Sequence, residues 1–361
     1  MNRKKFGLRL ATLAVFLLLP LSGAAALEEM DGDLDGNGRV TAADAARLMR
    51  IAAGIETMDH SLASIADVTG NLSVTHDDAR AVLLLCCGRL NSFADLSGAI
   101  EAQLLGESYL DKFSYTGAVK TENGYRSARL SVSISRMRFL DSACYVADIY
   151  VRDITCLRSA FSRGEYEGRR ETALAMAENN GAVIAVTGDM YTMNADGAIV
   201  RNGVYYNDRR VTKKKDLGVL YRDGTFRTYA RGEMTLEDLK ASGEIWQMWV
   251  FGPMLLDESG EPMSKFNCNS SILGNNPRTA IGYYSPGHYC LVVVDGRQKP
   301  YSAGLRMEDL SQLMYELGCT AAYNLDGGQS ASMSDGQRLI NSPSGGGRSI
   351  TDIVYLGEPL A

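Results

Sequence analysis

Three times in this chain a strand-length apolar run opens onto an acid beside a glycine. Ala182-Val183-Ile184-Ala185-Val186 leads into Thr187-Gly188-Asp189, and the run from Tyr289 to Val294 leads into Asp295-Gly296. Cys319-Thr320-Ala321-Ala322-Tyr323 leads into Asn324-Leu325-Asp326-Gly327-Gly328-Gln329-Ser330. Apolar runs of this length predict buried strands, so the fold must deliver several carboxylates from strand ends into loops. The third loop is the richest. Its glycines remove the Cβ atoms that hold a backbone away from a phosphate or sugar, and their permissive dihedrals let amides converge on an anion. Asp326 then has the chemistry of a base or nucleophile, with Asn324 and Ser330 as hydrogen-bond partners. Taken singly, each segment also fits a plain turn in which the aspartate bonds to its own loop.

The chain has 361 residues, 45% of them hydrophobic and 22% charged, enough for a substantial core and more than one domain. A formal net charge of −6 supplies no basic footprint for a nucleic-acid backbone, so nucleic acid is not an expected partner. Arg3, Lys4 and Lys5 precede the apolar run Leu8 to Leu21, and Ala24-Ala25-Ala26 offers small residues for cleavage. Residues 1–26 therefore read as a secretory signal peptide, with a retained anchor as the competing reading. The run is shorter than the roughly 20 apolar residues of a spanning helix. A secreted protein with no membrane span after signal removal is expected. Seven cysteines cannot all pair within one chain, and their spacings match no zinc pattern. Most read as small buried apolar residues, and a Cys144–Cys156 bridge stays open.

An internal repeat organises the first quarter. Asp33-Leu34-Asp35-Gly36-Asn37-Gly38-Arg39-Val40-Thr41-Ala42-Ala43-Asp44 returns 34 residues later as Asp67-Val68-Thr69-Gly70-Asn71-Leu72-Ser73-Val74-Thr75-His76-Asp77-Asp78, and each copy runs into an amphipathic stretch. Calcium is a hard cation that collects oxygens from alternate positions of a twelve-residue loop. In the first loop these are Asp33, Asp35, Asn37, the carbonyl of Arg39, Thr41 and Asp44, with Gly38 at the sharp turn. The second loop offers Asp67, Thr69, Asn71 and Asp78. There Thr69 replaces a carboxylate or amide and Leu72 replaces the glycine, so a weaker site and a metal-free helical hairpin are both open. Two such repeats with Asp at the twelfth position resemble a dockerin module, from about Met30 to Leu90. The resemblance implies Ca2+ binding and docking to a cohesin-bearing scaffold protein, with partner choice read at Ala42-Ala43 and His76-Asp77.

Further along, Ser127 to Met137 and Ala143 to Val151 alternate as half-buried strands do. A helical stretch is expected up to about Leu110. Gly168 to Asn179 reads as a helix ending at Asn180-Gly181, and Ile199 to Tyr206 as a hairpin turning on Asn202-Gly203. Lys213-Lys214-Lys215 reads as a solvated turn. Arg278 stands just before a strand, and its planar guanidinium suits a phosphate or carboxylate, an internal ion pair being the other reading. Gly304 to Leu317 forms an amphipathic helix, and Gly345-Gly346-Gly347-Arg348 precedes a last strand from Ile350 to Leu356.

These segments stand in the order found in phosphodiester glycosidase domains, which the chain resembles from about Tyr125 to Leu356. The resemblance implies an α+β fold, a mixed β-sheet catalytic domain flanked by helices, preceded here by the small all-α module. Expected boundaries are 27–92 for the module and 93–361 for the catalytic domain. The implied activity is hydrolysis of a sugar-1-phosphodiester at the sugar side, with a phosphodiester-linked glycan as substrate. Carried over position by position, the catalytic set is Asp326, Asp189 and Arg278. The substrate-binding set is Asn324, Gly327, Gly328, Ser330, Asp295 and Arg348. Thr187 stands where relatives usually carry Asn. A preorganised cation with the Gly327 and Gly328 amides would stabilise the leaving phosphate. A carbohydrate-binding protein without catalysis and a factor in exopolysaccharide assembly are the alternative functions.

Overall fold

The computed structural model describes residues 30–96, 104–194, 197–208 and 210–359. The signal-peptide segment 1–26 lies outside the described residues, as do residues 97–103 of the helical stretch expected before Leu110. Beyond them, Glu107–Lys112 is a 3₁₀ helix.

The N-terminal module is built from α1 (Ala42–Ala52), the short α2 (Ala63–Ala66) and α3 (His76–Cys86). α1 and α3 start alike. Thr41 and Thr75 are their N-caps, and Asp44 and Asp78 three residues on return bonds to the cap backbone, completing two capping boxes. The repeat also sets the core. Leu34, Ala45 and Leu48 are buried, and so are Val68, Ala79 and Val82 at the matching positions.

Leu72 proves compatible with the loop it was expected to disturb. Its φ of 67° matches the 79° of Gly38, and each residue's N–H donates to the first aspartate of its loop at 2.6 Å. A leucine in the left-handed region costs about 1–2 kcal/mol. Full burial of its side chain contributes about 1.5–3 kcal/mol, which offsets that strain. Leu105, Phe113 and Tyr115 join the same core, and the Tyr115 carbonyl accepts the Val74 N–H at 2.9 Å. Residues 105–115 are thus packed onto the module.

In the larger domain β1 (Val119–Thr121) and β2 (Gly124–Arg126) form a hairpin beside the long pair β3 (Leu130–Phe139) and β4 (Ser142–Val151). β5 (Leu157–Phe161), α4 (Ala173–Asn179) and β6 (Ile184–Thr187) follow, then the hairpin of β7 (Ile199–Arg201) and β8 (Val204–Asn207). β9 (Leu217–Tyr221), β10 (Phe226–Tyr229), α5 (Leu236–Ser242) and β11 (Ile245–Trp249) come next. The last third holds α6 (Ser270–Leu273), β12 (Arg278–Ser285), β13 (His288–Val294), α7 (Met307–Glu316), β14 (Ala321–Asn324), β15 (Met333–Ser334) and β16 (Asp352–Leu356). α4 starts later than Gly168 because Thr172 caps it, and β16 starts later than Ile350 because that residue bridges to Glu171.

Three sheets result, ordered β1-β2-β3-β4-β13-β12-β14, β10-β9-β11-β7-β8 and β15-β6-β16-β5. Every strand pairing among the described residues is antiparallel. The three sheets share one core, and the largest is covered on both faces. Along β13, Tyr289, Leu291 and Val293 face that core, whereas Cys290, Val292 and Val294 face α7 through Leu310, Leu313 and Met314. Double coverage is why β13 reads as a continuous apolar run. Cys144 and Cys156 fall in these two different cores, so the bridge left open by the sequence is not formed, and all seven cysteines are free thiols.

Register places the site. β12 runs antiparallel to both β13 and β14, pairing Arg278 with Val294 and Ala280 with Asn324. The start of β12 therefore lies beside the ends of both neighbours, and loops about 50 residues apart meet there.

Candidate active site and calcium loops

Asp326 sits just past the end of β14, in a loop pinned by backbone bonds on two sides. Its N–H donates to the Gly188 carbonyl at 2.9 Å, Leu325 N–H to Thr279 at 2.8 Å and Gly328 N–H to Pro277 at 2.9 Å. The glycines make this approach possible. A Cβ on Gly327 would lie 2.7 Å from the Pro277 carbonyl oxygen, and Gly328 adopts a φ of 62°, where a side chain would press on the Arg297 guanidinium. The Gly328 amide is thereby consumed by the fold. The Gly327 N–H has no protein acceptor among the described residues and is the amide left for a ligand.

A cavity of about 300 Å³ opens over this loop, lined by Arg278, Arg297, Arg348, Asn324 and Phe251 together with Asp326. Asp326 is 5% exposed and is its only carboxylate among the described residues. Burial pushes the Asp326 pKa up, and the Ser330 hydroxyl and the Arg348 guanidinium pull it partly back. Arg348 reaches in from the glycine-rich tail, donating from Nε to Ser330 Oγ at 2.5 Å and from Nη2 to Asp326 Oδ2 at 3.3 Å.

Arg278 is almost fully buried. Its Nε donates to the Leu305 carbonyl at 2.9 Å, and Nη2 donates to those of Ile272 and Gly274, each at 2.7 Å, leaving Nη1 for a ligand. Burial, with nearby Arg297, lowers its pKa to about 10, so the guanidinium stays charged at neutral pH. Asn324 donates from Nδ2 to the Gly252 carbonyl at 2.8 Å, which fixes the amide orientation and leaves Oδ1 buried without a donor. Such an acceptor costs free energy unless a ligand hydroxyl or amide satisfies it.

Two of the carried-over acids lie elsewhere. Asp189 is completely buried behind the cavity, accepting from Arg201 Nη2 at 2.5 Å and from the Val250 N–H at 2.6 Å. Asp352 completes that cluster, 3.1 Å from Arg201 Nη2. Burial raises the Asp189 pKa, with Arg201 opposing it. Asp295 takes hydrogen bonds from Tyr301, Asn341 and the Ser342 N–H, at 2.8, 2.8 and 3.0 Å, and so ties two loops together behind the site. Thr187 donates to the Ser330 carbonyl at 2.5 Å, bracing the same loop from below.

Sequence reasoning missed Arg297, Asp352 and Arg201. Arg297 follows Asp295-Gly296 in a left-handed turn with φ of 59°, and its Nη2 donates to Asn276 Oδ1 at 2.6 Å. The signal was present, because Asp295-Gly296 closes a strand as Asp326-Gly327 does. Arg201 carried none, since a charged residue before an Asn-Gly turn looks like a solvent-facing one.

In the first N-terminal loop, oxygens of Asp33, Asp35 and Asp44 all lie within 4.8 Å of one another. A hard-oxygen donor set this tight fits Ca2+. In the second loop burial, with the nearby Asp78 carboxylate, pushes the Asp67 pKa up to about 6, and the Thr69 hydroxyl donates to Asp78 at 2.8 Å. A cation would relieve that crowding, from fewer carboxylates than the first loop holds.

Comparison with known proteins finds a match in each of these two regions. Residues 180–356 match the phosphodiester glycosidase family and residues 31–83 match the dockerin type I domain. An uncharacterized SPbeta prophage-derived protein of Bacillus subtilis strain 168 is 29% identical over 195 residues, 53% of this chain and 30% of that protein. The N-acetylglucosamine-1-phosphodiester alpha-N-acetylglucosaminidase of Bos taurus is 25% identical over 246 residues, 64% of this chain and 46% of that protein. The chain thus spans less than half the length of either relative. Among solved structures, the zebrafish N-acetylglucosamine-1-phosphodiester alpha-N-acetylglucosaminidase catalytic domain, auto-inhibited by its pro-peptide, superposes with a TM-score of 0.51 at 19% identity, covering 63% of this chain and 83% of that one. A hypothetical protein from Synechocystis gives the same TM-score at 12% identity, covering 63% and 62%. At these identities the superpositions bear on the fold alone. In this chain a segment that matches the dockerin type I domain precedes a segment that matches the phosphodiester glycosidase family.

Proposed function

We propose that this protein hydrolyses a sugar-1-phosphodiester by breaking the bond between the anomeric carbon and the bridging oxygen. The observation that carries this reading is the charge pattern of one cavity, in which three guanidinium groups surround a single carboxylate. Arg278 Nη1, Arg297, Arg348 and the Gly327 N–H bind the phosphate, and Asp326 faces the anomeric carbon as base or nucleophile. Water supplies the oxygen that ends on the sugar, and the bridging oxygen leaves with the phosphate as a monoester.

The leaving group needs little protonation, which suits a cavity that holds no second acid among the described residues. Three cations and one carboxylate sum to +2, and the phosphate goes from a monoanion in the diester to a dianion in the product. The site is therefore more complementary to the late charge distribution than to the ground state, which is what accelerates a reaction. Asn324 Oδ1 is the acceptor for a sugar hydroxyl or amide. Asp189, with both oxygens committed, holds the fold of the site and takes no part in the two-carboxylate scheme of glycosidases.

Hydrolysis in ¹⁸O-labelled water tests the bond assignment. The released phosphate monoester should carry no label, and label in the phosphate would mean attack at phosphorus and end the proposal.

The N-terminal module is assigned to calcium-dependent docking on a cohesin-type scaffold, which places the enzyme outside the cell. Asp33, Asp35, Asn37, Thr41, Asp44 and the Arg39 carbonyl hold the first Ca2+, and Asp67, Thr69, Asn71 and Asp78 hold a second, weaker one. Ala42-Ala43 and His76-Asp77 are exposed at the helix starts, open to a partner. No helix among the described residues is long and apolar enough to cross a membrane. Because calcium binds the folded loops, its removal should lower the melting temperature of the module while leaving phosphodiester turnover unchanged. The change should be read by calorimetry with and without chelator, and an unmoved module transition would count against the assignment.

A further inference from the structure

The cations around the cavity outnumber what one phosphodiester needs. Arg278, Arg297 and Arg348 balance Asp326 and the dianionic monoester that leaves. Two more cations stand at its edges. Lys215 Nζ lies 5.8 Å from the ring centre of Phe251, which lines the cavity. The same lysine and Arg278 both pull down the pKa of the Cys268 thiol against the upward push of burial and of Asp216, an acid already held by the Arg231 and Met254 N–H groups and the Asn267 amide, so the two cations share one neighbourhood. On another side, Arg170 lines a narrow recess that shares Asp326 and Arg348 with the cavity. Neither Lys215 nor Arg170 makes an ion pair among the described residues, although the chain as a whole carries a net charge of −6. Unpaired cations collected on an acidic protein repel one another unless an anion joins them. Lys213 and Lys214 are exposed, as a solvated turn requires, and Lys215, the last of the run, stands over Phe251 at the edge of the site.

We infer that the substrate is a polyanion, a polymer whose sugar units are joined through repeating 1-phosphodiesters, with one phosphate in the cavity and its neighbours on Lys215 and Arg170. The inference rests on the proposed function and narrows its substrate class. A compact diphosphate diester is the competing ligand of similar charge. It would place both phosphates inside the cavity and leave Lys215 and Arg170 unused, whereas a repeating chain uses cations on both sides.

The test compares a methyl diester of a hexose 1-phosphate with an oligomer of four such units joined through their phosphates. At low ionic strength the wild-type kcat/KM per bond should favour the oligomer by about tenfold, and in the Lys215→Ala/Arg170→Ala double variant the ratio should fall to about one. A wild-type ratio of one, or a preference that survives in the double variant, overturns the inference. Binding is measured separately by titration calorimetry on the Asp326→Asn variant, with and without the two edge substitutions. The oligomer should bind more tightly only while Lys215 and Arg170 are present, and equal affinity overturns the inference whether or not either substrate is turned over. Preference in binding without any hydrolysis of the monomer by the wild type overturns the catalytic reading alone.

Discussion

Replacing Asp326 with Asn is expected to remove nearly all hydrolysis of a sugar-1-phosphodiester, by about 10²–10⁴-fold in kcat/KM, and to leave the fold intact. The size of the loss follows from the cavity's composition. Asp326 is its only carboxylate among the described residues, so none of them can take over as base or nucleophile. The fold survives because the backbone bonds from 325, 326 and 328 hold the loop, and none involves the carboxylate. The wild-type pH profile carries the same signature. Burial raises the Asp326 pKa while Ser330 and Arg348 lower it, and the group acts as its anion. Activity should therefore be lost as the pH falls through a value above the ordinary carboxylate range. Arg348→Ala removes part of the lowering influence, so it should move that acid limb to higher pH. Unchanged hydrolysis by the Asp326→Asn variant, or an acid limb that ignores Arg348, would sink the assignment.

What was legible in the sequence was local. The strands that stop just short of Asp295 and Asp326 and the hairpin turning on Asn202-Gly203 each announce themselves within a few neighbours. The meeting of Arg278 with Asp326 was legible only through family order, because it depends on β12 pairing antiparallel with both β13 and β14. No local pattern encodes that choice of partners. Arg297 escaped because a turn arginine is ordinarily solvated, and here the Gly328 backbone lets it fold back beside the site. Asp189 drew attention for the right feature, an acid at a strand end beside glycine. Its side chain nevertheless faces inward, toward an arginine whose burial the sequence did not signal.

That inward-facing cluster gives the second large effect. Arg201→Ala is expected to destabilise the larger domain by about 3–5 kcal/mol, because it strands the buried Asp189 and Asp352 carboxylates without their cation. Asp189→Asn should cost much less. Two acids share one arginine, so the amide removes a surplus buried negative charge while it can still accept from the Val250 N–H at the same position. The site would feel the difference through Gly188. Asp352 packs so closely over that glycine that a Cβ there would lie 2.5 Å from its carboxyl carbon, and the Gly188 carbonyl is what holds the Asp326 N–H. Denaturant titration and turnover measured on the same samples separate structure from chemistry. If Asp189 supports the fold, Asp189→Asn keeps turnover within about tenfold of wild type, and activity in the Arg201→Ala variant falls in step with the folded fraction. A fully stable Asp189→Asn protein that has lost 10²-fold or more of its turnover, a loss of the size a general base supplies, would instead return Asp189 to the chemistry, and with it the two-carboxylate scheme that the cavity lacks.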